Sequence, residues 1–301
     1  MLIEKTVKAD LSTIVSAKLA DYVQLVKMRL SLLVVFSAAI SYMYASRGTE
    51  YINWSALVSL IIGGFLVTGS ANTFNQVLER NLDKLMSRTQ DRPLPSGRMN
   101  ILEASIAGLI MGIVGILFLG YGVNYLTAFF GLFSLLSYSF VYTPLKQVTR
   151  LSVFIGAIPG AMPPLLGYVA FANHFGMEPG LLFAIQFMWQ FPHFWAIAWV
   201  LEEDYSKAGF HLLPASSGRS KSSATWILVS NILLIPVSIL PVYYNMAGNA
   251  YLIVTLILGV LFLYQAIRLY RLNDVKSALQ LMFGSFLYLP IVQIMILINK
   301  L

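Results

Sequence analysis

The sequence predicts an all-α polytopic membrane protein, with nine transmembrane helices around a central cavity that opens to the cytoplasmic side. Three observations carry this expectation. Of the 301 residues, 58% belong to the hydrophobic set and only 11% are charged, with a mean hydropathy of +0.74, a balance foreign to soluble domains. Apolar runs of about 20 residues, the length that crosses a bilayer core, recur at 30–46, 54–78, 101–121, 122–142, 151–173, 179–200, 225–245, 249–270 and 279–299. All 20 Lys and Arg except Arg47 and Lys300 fall in the N-terminal segment or in the loops after the second, fourth, sixth and eighth runs. Such a bias over short loops places the N-terminus in the cytoplasm and the C-terminus outside. The net charge of +7 is thus a topology signal, which argues against nucleic-acid binding. With no cysteine, neither a disulfide framework nor a thiolate metal site is available.

Residues 1–25 mix Lys5, Lys8 and Lys18 with Glu4, Asp10 and Asp21, unlike an acid-poor transit peptide or a cleaved signal. They are expected to form a retained cytoplasmic leader before a single domain spanning 26–301. Lys27 and Arg29 lead into the first span, where they either anchor at lipid head groups, the favoured role, or reach toward a charged substrate. The second span carries Gly63, Gly64 and Gly69, then turns polar at membrane depth through Ser70, Asn72, Thr73, Asn75 and Gln76. Polar groups there are costly unless they face a cavity.

That polar face continues into charge. Asn75, Glu79 and Asp83 recur every four residues, which on a helix stacks three oxygen-bearing side chains on one face suited to a hard divalent cation. Arg88 and Arg92 follow at the same spacing and offer planar forks for diphosphate oxygens. Pro93, Pro95 and Gly97 are expected to end the helix. A solvated helix with intrahelical ion pairs would show similar spacing, but a solvated helix does not begin its polar face inside the bilayer.

The third and fourth spans read as scaffold. The fourth ends with Tyr138, Tyr142 and Lys146, which share one face if the helix survives Pro144; belt tyrosines and an inside-positive lysine account for the same residues. The fifth span holds Gly156, Pro159, Gly160, Pro163, Pro164 and Gly167, and a helix so interrupted is expected to line a cavity, with neighbouring groups or water satisfying its freed backbone. The sixth, in the run WQFPHFWAIAWVLEEDYSKAGFHLLP, ends in Glu202, Glu203 and Asp204, with Lys207 and His211 beyond. It runs in the same direction as the second span, so the two acidic ends are expected to face each other across a cytoplasmic-side cleft. His193, beside Pro192 and among Trp189, Phe191, Phe194 and Trp195, is either a hydrogen-bonded core residue or a functional imidazole. The last three spans read as walls.

Together, NxxxExxxD, RTQDRPLPSG, YTPLK before a Gly/Pro-rich span, and the WQFPHFW and DYSKAGFHLLP segments resemble the UbiA-type intramembrane prenyltransferases, in register over about 27–214. The last two segments resemble the branch of that family that prenylates heme. The resemblance implies transfer of a farnesyl group from farnesyl diphosphate to a vinyl group of heme B, with addition of water, giving heme O for terminal oxidases in a bacterial inner membrane. It implies magnesium on Asn75, Glu79 and Asp83; catalytic roles for Asp83, Arg88, Arg92, His193 and Asp204; and substrate contacts from Asn72, Asn75, Arg88, Arg92, Tyr142, Lys146, His193 and Tyr205. Heme B enters as substrate, not resident cofactor, and heme A synthase or oxidase-assembly proteins are the implied protein partners. Two departures stand out: Glu79 occupies a position that is Asp in most of the family, and the family's second DxxxD motif is absent, with Asp204 in its region. Another prenyl acceptor, such as an aromatic acid or quinone precursor, is the nearest alternative. A heme- or ion-handling transporter would explain the Gly and Pro but not the paired arginines after the acidic triad.

Overall fold

The computed structural model describes residues 11–301. The Glu4, Lys5, Lys8 and Asp10 portion of the expected leader lies outside the described residues; its remainder forms α1 (Leu11–Leu25). Among the described residues, eight segments are long and apolar enough to cross a membrane: α2 (Met28–Ser46), α3 (Trp54–Asp83), α4 (Ile101–Gly122), the composite Tyr125–Leu145, α7 (Ser152–Ala172), α10 (Lys221–Tyr243), α11 (Asn249–Leu272) and α12 (Val275–Ile298). The composite consists of α5 (Tyr125–Leu136), a π-helical turn (Ser137–Tyr142) and α6 (Thr143–Leu145).

The expected sixth span is α8 (Met177–Val200), 24 residues long but short of the apolarity shared by the other eight, because its sequence includes Trp, Gln, Pro and His. Its position explains this. It packs against α7, α10 and α12, and a helix walled by protein needs less hydrocarbon surface than one facing lipid. The six-residue α9 (Glu202–Lys207) follows it. No strand occurs among the described residues.

Helices α2 to α5 and helices α8 and α10 to α12 make two groups, joined where α2 packs on α7 and α12 and where α7 packs on α8. Small residues permit the closest approaches. A Cβ on Gly115 would lie 2.9 Å from Val67 Cγ2, and one on Gly167 would overlap the Ala38 carbonyl oxygen, so these glycines set the α3–α4 and α2–α7 spacing.

The carbonyls freed by the prolines of α7 find neighbouring partners, as expected. Pro163 and Pro164 cannot donate to the carbonyls four residues earlier; the Pro159 carbonyl instead accepts from Ser134 Oγ (3.4 Å), and the Gly160 carbonyl from Gln186 Nε2 (2.7 Å). Helix α7 lies mostly inside the bundle, and side chains of α5 and α8 are the neighbouring groups that satisfy its freed backbone.

The two basic residues that break the charge asymmetry cap helix ends. Arg47 donates to the Leu297 and Ile298 carbonyls, and Lys300 Nζ donates to the carbonyls of Tyr44 (2.9 Å) and Arg47 (2.8 Å). Cations at helix C-termini satisfy orphan carbonyls and complement the helix dipole.

Candidate active site

The other end of the bundle carries the chemistry. Asn75, Glu79 and Asp83 are all buried on one face of α3, as their spacing predicts. Each is matched by a cation from a different segment. Lys27 Nζ donates to Asn75 Oδ1 at 3.2 Å, Lys146 Nζ stands 2.5 Å from Glu79 Oε1, and Arg92 Nη1 bonds Asp83 Oδ2 at 2.7 Å. Glu79 Oε1, though buried and ion-paired, is oriented so that it accepts no hydrogen bond.

Of the two roles open to Lys27, the structure favours reaching inward over anchoring. It adopts a left-handed backbone (φ 48°) between α1 and α2, a conformation that costs a non-glycine residue about 1 kcal/mol or more and here turns the side chain inward. Asn72 supports that turn: its amide nitrogen donates to the Val26 carbonyl (3.2 Å) and to Ser31 Oγ (3.3 Å), while Gln76 Nε2 donates to the Leu25 carbonyl. Asn72, expected to touch substrate, thus spends its donors on the α1–α2 junction. Burial, with Arg92 and Arg88 working against the attraction of Asp83, lowers Lys27 to about 7. The local sequence of Lys27 leaves the two roles open, because the inward turn depends on residues about 50 positions later.

Arg88 and Arg92 do not extend the α3 face, because the helix stops at Asp83. The reason lies in the hydrogen bonds. The Asp83 carbonyl accepts from Thr89 Oγ1 at 2.9 Å, and the main-chain N–H groups of Ser87 and Arg88 donate to the Asp204 carboxylate at 2.8 and 3.2 Å. The chain then folds back through turns, and Arg92 reaches Asp83 by reversal rather than by helical stacking. Both arginines remain at the site, by a route the spacing did not foretell.

Asp204 sits on α9 and is the clasp of this loop. It also accepts from Ser87 Oγ (2.6 Å) and Lys207 Nζ (3.2 Å). Its partial burial raises its pKa, but the bonds from Ser87, Arg88 and Lys207 outweigh that and hold it well below the ordinary carboxylate value of 3.8. A depressed carboxylate contributes stability above its unfolded pKa and loses it only as pH falls through the folded value, so the clasp is fully set at neutral pH. Where the sequence predicts the acidic ends of the two helices to face each other across a cleft, the segments that follow α3 and α8 are joined by this bond.

Tyr138, Tyr142 and Lys146 share a face after all. The π-helical turn admits Pro144 by widening the helix just before it. Lys146 N bonds the Tyr142 carbonyl at 3.1 Å, the two tyrosine rings lie 5.4 Å apart, and Lys146 Nζ lies 5.4 Å from the Tyr142 ring centre. Thr143, not singled out by the sequence, accepts from Asn75 Nδ2 at 3.2 Å. The Tyr205 hydroxyl faces the Arg88 guanidinium.

His193 stands apart from this cluster. It lies seven residues before the end of α8 at Val200, about 10 Å along the axis. Its Nδ1 is 2.7 Å from Ser285 Oγ, its ring stacks on Trp189 at 4.3 Å, and Phe194 and Phe286 flank it. Ser285 Oγ donates to the Met282 carbonyl, so it accepts from Nδ1–H. That assigns the lone pair to Nε2.

The arrangement of three oxygen donors, three paired cations and a clasped arginine loop can grip a polyanion and stabilise charge on it. A family model described as the UbiA prenyltransferase family matches residues 34–289. Proteins named protoheme IX farnesyltransferase are similar: one from Cytophaga hutchinsonii is 49% identical, over 93% of this chain and 97% of its own, and one from Christiangramia forsetii is 43% identical, over 94% of each. Among solved structures, a digeranylgeranylglyceryl phosphate synthase superposes with a TM-score of 0.79 at 21% identity, over 94% of this chain and 98% of its own. A UbiA homolog from Archaeoglobus fulgidus bound to DMAPP and Mg2+ superposes with a TM-score of 0.64 at 14% identity, over 92% of this chain and 99% of its own.

Proposed function

The chain belongs to the UbiA prenyltransferase family and, within it, to the protoheme IX farnesyltransferases, and from that premise we propose that the Asn75–Asp83 cluster is where it transfers a farnesyl group to a vinyl group of protoheme IX, making heme O. The observation that carries this assignment is the pairing of every oxygen donor on the α3 face with a cation from another segment. Such a cluster holds balanced charge at rest and can exchange its internal pairs for a diphosphate and a divalent ion. The basic loops support a reading in which this end faces the cytoplasm from an inner membrane.

The donor set fits magnesium. Among the described residues no three His, Cys, Asp or Glu form a metal cluster; two carboxylates and one amide are the set that magnesium uses when substrate phosphates complete its coordination. Buried Glu79 Oε1, held by its ion pair with Lys146 and by no hydrogen bond, is the atom we assign as the first metal ligand. When bound, the ion supplies Lewis-acid neutralisation of the leaving diphosphate. It follows that magnesium alone binds weakly, and that a non-hydrolysable farnesyl diphosphate analogue tightens it by about tenfold or more, as titration calorimetry with and without the analogue would read. Equal affinity in both titrations would remove the shared-ligand arrangement.

The residues act on charge. As the allylic C–O bond breaks, diphosphate leaves with the electron pair, and Arg88, Arg92, Lys146 and Lys27 offset its growing charge. The terminal vinyl carbon bonds to the farnesyl C1, the cation passes to the carbon beside the porphyrin ring, and water adds there and loses a proton. Asp204, Asn72 and Thr143 position the groups that touch substrate. Heme A synthase or an oxidase-assembly protein would consume the product.

His193 offers its Nε2 lone pair to the acceptor, either as an axial iron ligand or as the base for the attacking water, and one variant separates the two. As a ligand, His193→Ala shifts the Soret band of bound heme; as a base, it lowers turnover with an unchanged spectrum. In either case farnesyl diphosphate affinity stays within about threefold, or ~0.7 kcal/mol. Unchanged spectrum and unchanged turnover together would reduce His193 to packing. The activity itself is tested by incubating purified protein with protoheme, farnesyl diphosphate and magnesium: the expected product has gained a farnesyl group and one hydroxyl by mass, whereas prenylation of an aromatic acid instead would overturn the reading.

A further inference from the structure

A cavity of about 270 Å3 lies at the same end of the bundle, behind the cluster just described. Arg150, Glu202, Tyr205, Phe210 and His211 are among its walls. Tyr205 and Phe210 form the partition between cavity and cluster: the Tyr205 hydroxyl faces Arg88, and the Phe210 ring centre lies 5.2 Å from Lys146 Nζ. The cavity falls just under the range of about 300–1,000 Å3 that encloses a drug-sized ligand, so it receives an edge of a larger molecule.

Arg150 is the unexplained group. Its guanidinium makes no hydrogen bond or ion pair with any described residue, although it is half-buried and shares the cavity with a carboxylate. That carboxylate is already engaged: both Glu202 oxygens accept from Arg219 N at 3.1 Å, and Glu202 Oε2 lies 3.3 Å from Arg219 Nε. A free arginine fork in a cavity whose one wall acid is committed is built to receive an external carboxylate.

On the reading that the chain farnesylates protoheme IX, we propose that this cavity seats the carboxylate edge of the acceptor, with Arg150 pairing with a propionate. Protoheme carries its propionates on one side of the macrocycle and its vinyl groups on the other. Holding the propionates behind the Tyr205–Phe210 partition therefore turns the vinyl edge toward Glu79 and Asp83. Arg150 is then a specificity determinant for the acceptor, with no contact to the diphosphate.

The test compares protoheme IX with its dimethyl ester, whose propionates carry no charge, in wild type, Arg150→Gln and Arg150→Lys. Arg150→Gln should raise KM for protoheme by about tenfold, a loss of ~1.4 kcal/mol, while KM for the ester, KM for farnesyl diphosphate and kcat each stay within about twofold. Arg150→Lys should recover part of the loss for the free acid. An equal effect of Arg150→Gln on acid and ester, or an effect on farnesyl diphosphate alone, overturns the propionate subsite while leaving the activity standing. No farnesylated product from either acceptor with the wild-type protein overturns the functional reading, and the subsite with it.

Discussion

Asp83→Asn lowers kcat by about 10³-fold or more, equivalent to ~4 kcal/mol of transition-state stabilisation, while leaving the protein folded. Asp83 is 1% exposed and holds Arg92 at 2.7 Å. Its replacement leaves Glu79 as the only carboxylate on the α3 face, among Lys27, Lys146, Arg88 and Arg92, and removes the charged ligand proposed for the divalent ion. The fold survives for two reasons. The asparagine oxygen still accepts from Arg92, and the turn that ends α3 depends on the main-chain carbonyl of residue 83, which Thr89 bonds. The checks are single-turnover rates at saturating magnesium and the detergent melting temperature; near-wild-type turnover in the folded variant sinks the ligand assignment, and a variant that does not fold assigns Asp83 to structure.

Arg92→Lys is the second large effect, with kcat/KM falling by about 10²-fold, or ~2.7 kcal/mol, although the charge is kept. Arg92 uses Nη1 on Asp83, and the rest of its fork remains available to diphosphate oxygens; a lysine ammonium has to serve one at the expense of the other. Arg88→Lys should behave similarly, because its place in the loop is fixed by its main-chain N–H on Asp204, which the substitution leaves intact. Complementation of a heme O-deficient strain reads both. Full rescue by the two lysine variants would show that charge alone suffices and that the forked contact is not made.

The elements that obey one periodicity were the legible ones. Long apolar runs gave the spans, since lipid imposes the same demand on every outward helix, and the four-residue spacing gave the Asn75–Asp83 face. The limit of apolarity is visible at α8, whose inner position relaxes that demand. The route of Arg88 and Arg92 was not legible, because α3 stops where Thr89 and Asp204 capture its backbone groups, and Asp204 comes from a segment more than 100 residues later. The choice between the two roles of Lys27 was not legible for the same reason: its inward turn rests on Asn72 and Gln76. Arg150 carried no signal, since an unpaired cation is recognised only by seeing what surrounds it.

The widened turn at Ser137–Tyr142 fixes the angular phase of everything after it. A π-turn is an α-helix with one surplus residue, and each residue of an α-helix advances the side chain by about 100° and 1.5 Å. Excision of a single residue such as Val141 would restore a regular helix while swinging Lys146 away from Glu79 by that angle and setting Pro144 against the carbonyl four residues before it. The surplus residue therefore works as a vernier, aligning a lysine on one helix with a carboxylate on another.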